Sequence, residues 1–173
     1  MINIQKFCQS FIYFKPEDTN AQTTITALYN LMSKVQSKRP QYFQSLRKRI
    51  FRECKTRTDS DICQLLDVTL EEACNERNPT TWEAFTVPFI IIEIFDDYAQ
   101  NNMDAEVYYK FKSLSIRSLT QYIQSKFGVF IRQNEFTPII AREKLDSYYM
   151  SDNLNAIDFI IGAATIYFIS KLF

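Results

Sequence analysis

The sequence predicts an all-α fold, a helical bundle built around one central hydrophobic helix. Three observations predict it. Gly occurs only twice and Pro only five times in 173 residues, so few positions break a helix. Apolar residues recur at three- and four-residue spacing along most of the chain, and no stretch alternates as a strand does. The segment "AFTVPFIII" (84–92) is apolar on nearly every side. A helix with that pattern has to be surrounded by others or sit in lipid. At about 1.5 Å per residue the run covers only about half a bilayer, so the expectation is a bundle core.

The elements follow in order. Ile4, Phe7, Cys8, Phe11 and Phe14 mark a first amphipathic helix, ended by "KPEDTN" (15–20). Ile25, Leu28, Tyr29, Met32 and Val35 mark a second, from about residue 22. Pro40 opens a third, with Tyr42, Phe43, Leu46, Ile50 and Cys54 on one stripe. The polar break "KTRTDSD" (55–61) precedes a fourth, marked by Ile62, Leu65, Leu66, Leu70, Ala73 and Cys74. After the turn "NERNP" (75–79), Thr80 and Glu83 have capping-box spacing and start the central helix, which runs to about Tyr98. Pro88 lies inside it and is expected to bend it. "NNMD" (101–104) leads to a long helix with Ile116, Leu119, Ile123 and Phe127 on its stripe. Gly128 reads as the end of that helix. A short helix from Val129 and another opening at Pro138 are expected to follow.

One domain, residues 1–153, is expected, followed by a hydrophobic tail at 154–173. Phe159 to Ile169 carries no charge and lies between Asp158 and Lys171. A span needs about 20 apolar residues, and this one approaches the lower limit only if Lys171 snorkels. The segment reads as a C-terminal membrane anchor, with a last core helix as the alternative.

What is missing excludes several chemistries. The chain has no His, which removes Ser–His and Cys–His nucleophile pairs and the commonest general base and metal ligand. Two separated glycines cannot build a phosphate-cradling loop. Cys8, Cys54, Cys63 and Cys74 contain no C-x-x-C pair and read as reduced, mostly buried thiols. "MINIQKFCQSFIYFK" lacks the apolar block of a signal peptide. The expectation is an intracellular binding protein with no metal and no cofactor. Carboxylate- or Lys-based catalysis stays open, without a motif to support it.

Charge is segregated. Residues 34–57 hold nine Lys or Arg and one acid, Glu53, whereas residues 59–106 hold twelve acids and one base, Arg77. Two solvated faces that offset each other are one reading, and a basic rim for an acidic partner is the other. The net charge of zero argues against nucleic acid as a partner.

The order of elements resembles the B-cell lymphoma-2 (Bcl-2) family of apoptosis regulators. "TWEA" (81–84), with Trp82 at the start of the central helix, stands where the family has Asn-Trp-Gly-Arg. In "SKFGVFIRQNEF" (125–136), Phe130 and Ile131 stand for the Trp-Ile of the second motif, Asn134 matches its Asn and Phe136 falls near its last Trp. "LYNLMSKV" (28–35) occupies the place of the family's own BH3 segment, with Met32 and Ser33 for its Gly and Asp. Abundant Asn, Ile, Lys, Tyr and Phe suit an AT-rich genome, so the resemblance is to a divergent viral member, poxvirus-like.

The resemblance implies an inhibitor of apoptosis at the mitochondrial outer membrane or another host membrane, held there by its tail. It implies a hydrophobic groove that takes the BH3 helix of a pro-apoptotic partner, effector or BH3-only. By position the groove is formed by Val35, Tyr42, Phe43 and Leu46, by Leu66, Leu70 and Ala73, and by Ala84, Phe85 and Val87. The family's motif Arg, which pairs with the ligand's Asp, is Ala84 here, so Arg47, Arg49 and Arg77 become the candidates for that pairing. Glu83 at the Gly position adds bulk at the same place. The alternative is a viral immunomodulator of the same fold that binds innate-signalling adaptors without using the groove. A pore-forming, pro-death member is disfavoured by Ser33 in place of Asp.

Overall fold

In the computed structural model, residues 3–13, 19–73 and 82–133 are described, and they form six α-helices with no strand. α1 spans Ile4–Ile12, α2 Thr19–Lys38, α3 Pro40–Cys54, α4 Asp59–Ala73, α5 Trp82–Asn102 and α6 Ala105–Gln133. The all-α expectation holds among the described residues.

Local chemistry fixes the helix ends. The Asn3 side chain accepts a hydrogen bond from the Lys6 N–H at 3.0 Å and caps α1. Pro40 occupies the first turn of α3, where its missing N–H costs nothing. Thr58 and Asp61 cap α4 reciprocally. The Thr58 hydroxyl donates to the Asp61 carboxylate at 2.7 Å, and the Asp61 N–H donates back to the hydroxyl at 3.4 Å. Asp59 and Asp61 also place negative charge on the positive end of that helix.

α5 packs against α2, α3, α4 and α6. From Ala84 to Phe95 every residue is buried except Glu93, which is half-buried. Pro88 sits within a helix that continues on both sides of it. The rings of Phe7 and Phe11 on α1 meet the Phe89 ring edge-on, at 5.9 and 5.0 Å between centroids. Phe85 continues this aromatic core towards Phe127 (5.4 Å) and Phe130 (6.3 Å) on α6. On the other flank Ile25, Leu28, Leu31, Met32 and Val35 of α2 are fully buried.

One expectation about the helices is overturned. Gly128 does not end a helix, and no separate short helix starts at Val129: α6 runs unbroken from Ala105 to Gln133. Packing explains it. Leu119, Ile123, Phe127, Phe130 and Ile131 keep one buried stripe straight across the glycine. Their burial outweighs the roughly 1 kcal/mol that a mid-helix Gly costs. Phe14, Cys74, Thr80, the helix expected at Pro138 and the tail at 154–173 lie outside the described residues. No helix among the described residues is long and apolar enough to cross a membrane.

Candidate functional site

α3 presents two flanks, and each borders a different cleft. The first cleft lies between α3 and α4, lined by Leu46, Arg49, Ile50 and Glu53 from one side and Leu65 and Thr69 from the other. Its volume is about 10 Å³, roughly enough for one water molecule. The Thr69 hydroxyl donates to the Leu65 carbonyl at 2.7 Å. Leu46, Ile50 and Leu65 supply its apolar lining, and Arg49, Glu53 and Thr69 its polar lining. α3 itself packs mainly on α5 and α2.

The second cleft lies between the end of α2, the start of α3 and α5. It is lined by Ser33, Gln36, Ser37, Pro40, Phe43, Gln44, Arg47 and Ile94, and its volume is about 370 Å³. Arg47 and Arg49 lie on opposite flanks because two residues along an α-helix are about 200° apart. Arg47 pairs with Asp97 of α5 and rests over the Phe51 ring at 5.2 Å, so only Arg49 borders the first cleft.

The residues expected to form a groove divide clearly. Leu46 lines the α3–α4 cleft and Phe43 lines the second one. Tyr42 is half-buried, its ring edge-on to Phe43 at 5.1 Å. Val35, Leu66, Leu70, Ala73, Ala84, Phe85 and Val87 are buried in the core. None of the seven lines either cleft. Phe130 and Ile131 are core residues too. Arg77, Asn134 and Phe136, together with the side chain of Trp82, lie outside the described residues. Ile50 and Leu65 stood on the sequence stripes but not among the expected groove residues, and Glu53 and Thr69 carried no signal.

α5 also carries the acids Glu93, Asp96 and Asp97. Burial, aided by Asp96 and opposed by Arg47, pushes Glu93 up to about 7. Burial also raises Asp96, against the pull of Lys112 and a hydrogen bond from the Tyr108 hydroxyl at 3.3 Å. Tyr29 is pushed up to about 12 by burial and by the two carboxylates. Lys112 lies over the Tyr108 and Tyr13 rings at 4.8 and 5.5 Å and donates to the Ile12 carbonyl at 3.4 Å, which ties α6 to the end of α1.

Among the described residues no three His, Cys, Asp or Glu gather as a metal site. Burial pushes the thiols of Cys8 and Cys54 up to about 12 and about 11, which keeps them in the unreactive protonated form. Comparison with family models, curated proteins and solved structures finds no match to this chain.

Proposed function

We propose that this chain is a Bcl-2-like inhibitor of apoptosis that holds the BH3 helix of a pro-apoptotic protein between α3 and α4. The observation that carries the reading is the α3–α4 cleft itself. Apolar side chains of Leu46, Ile50 and Leu65 lie beside the cation Arg49, with Glu53 on the same rim held by its ion pair to Arg57. An amphipathic helix offers the matching chemistry, an apolar stripe with one Asp beside it. Arg49 takes the role of the motif Arg that Ala84 lacks. The cleft is shut without a ligand, so binding parts α3 from α4, and the apolar area gained from the ligand offsets the cost. The tail at 154–173 holds the domain at the mitochondrial outer membrane or another host membrane. Its apolar run between Asp158 and Lys171 supports that part of the reading.

The test is peptide binding by paired variants. Leu46→Ala and Arg49→Glu each weaken BH3 binding by about 1–4 kcal/mol if they are hot spots, while Arg47→Glu leaves it unchanged. Full affinity in both of the first two variants refutes the assignment. A second reading draws on the small volume of the same cleft, about 10 Å³. In it the domain is an immunomodulator that binds signalling adaptors through outer helix faces and never opens. A disulfide engineered across α3 and α4 separates the two, since it abolishes function in the first reading and spares it in the second.

A further inference from the structure

The α2–α3–α5 cleft lies at one end of a row of cations. Gln44 lines the cleft, and Lys48, Arg52 and the C-cap residue Lys55 follow it at four-, four- and three-residue spacing, so all four share one face of α3 and its cap. The three cations are exposed and form no ion pair among the described residues. Arg47, at the cleft wall, gives one nitrogen to Asp97, and its side chain is 51% exposed. Its other N–H groups meet no acceptor among the described residues. The cleft floor is different in kind: Pro40, Phe43 and Ile94 offer apolar edges. At about 370 Å³ the cleft falls within the range of ligand sites and holds one large side chain.

We propose that this face docks an acidic peptide segment of a partner protein, with one apolar side chain seated in the α2–α3–α5 cleft. Its carboxylates bridge to the open edge of Arg47 and to Lys48, Arg52 and Lys55. Charge complementarity selects an acidic occupant. The shape of the strip selects a peptide over a broader polyanion. The strip is one helix wide, flanked by Asp97, which pairs with Arg47, and by Glu53, which pairs with Arg57. A duplex backbone or an anionic lipid surface would lay phosphates against those carboxylates as well. A short acidic segment avoids them. The site is separate from the α3–α4 cleft and does not depend on BH3 binding there.

Fluorescence anisotropy on the full chain tests it, with a labelled probe of about 16 residues, Glu and Asp around one Leu, long enough at about 1.5 Å per residue even when helical to follow α3 from Gln44 to Lys55. Lys48→Glu with Arg52→Glu is expected to weaken binding at least about tenfold. Ser37→Trp, an exposed change that fills the cleft without altering charge, is expected to weaken it about fivefold or more. A probe with Ser in place of Leu is expected to be indifferent to Ser37→Trp. Circular dichroism confirms that both variants fold. Undiminished binding in Ser37→Trp overturns the proposal. So does an equal affinity for a 20-nucleotide single strand or for phosphatidylserine vesicles, which marks a generic polyanion surface. BH3 peptide binding measured on Ser37→Trp reports on the α3–α4 cleft independently.

Discussion

Glu93 is the one charge in the enclosed part of α5, and replacing it by Gln turns its burial into a measurable quantity. Its ordinary value of 4.5 rises to about 7, first by burial, then by Asp96, with Arg47 opposing. Between those two values the folded chain holds a proton that the unfolded chain has released. Stability therefore falls as pH climbs through that window and levels off above about 7. At about 1.4 kcal/mol for each tenfold change in proton affinity, the whole effect is about 3 kcal/mol. Glu93→Gln keeps the shape and removes the titration. The variant is expected to match the parent near pH 4.5 and to exceed its stability by about 2–3 kcal/mol at pH 8, since neither Gln nor its neighbours then pay for an ionised carboxylate. Urea unfolding at both pH values reads this directly. Asp96 stays in place with its Tyr108 bond and Lys112 partner, so a residual pH dependence of the same sign remains. A variant no more stable than the parent at pH 8, or an advantage that does not grow with pH, refutes the reasoning.

Other perturbations have equally definite outcomes. Gly128→Ala adds a Cβ whose nearest contact is the Arg132 side chain at 4.0 Å, so it stabilises α6 by about 0.5–1 kcal/mol in thermal unfolding. Destabilisation there would restore the helix end that the sequence suggested. Phe89→Ala removes a ring enclosed by Phe7, Phe11 and Phe85 and is expected to cost about 3–5 kcal/mol in urea unfolding. Thr58→Ala breaks the reciprocal cap of α4 and is expected to cost about 1 kcal/mol, with the far-ultraviolet signal of the folded state retained.

Periodicity made the first five helices legible, because the residues that repeat at three and four are the ones that burial requires on one side. Phe7, Cys8 and Phe11, or Ile25, Leu28 and Met32, are buried as their spacing said. Gly128 misled because local propensity there runs against the packing of Phe127 and Phe130, and packing prevails. The Thr58–Asp61 cap departs from the usual capping-box pattern because Asp takes the place usually held by Glu. Which residues line a cleft depends on how neighbouring helices are rotated about their axes, a tertiary property. So Arg47 and Arg49 looked equivalent in sequence, although one pairs with Asp97, fifty positions away, and the other borders α4. The split of charge into a basic and an acidic half was visible from the start, but the exposed row Lys48, Arg52 and Lys55 emerged only once the buried side of α3 was known.

The most direct test is a calorimetric titration of the full chain with a panel of BH3 peptides from effector and BH3-only proteins. The α3–α4 reading predicts submicromolar binding to at least one peptide, lost on Arg49→Glu and kept on Arg47→Glu. No heat of binding to any peptide from a folded protein would contradict it and hand the function to the outer faces of the helices.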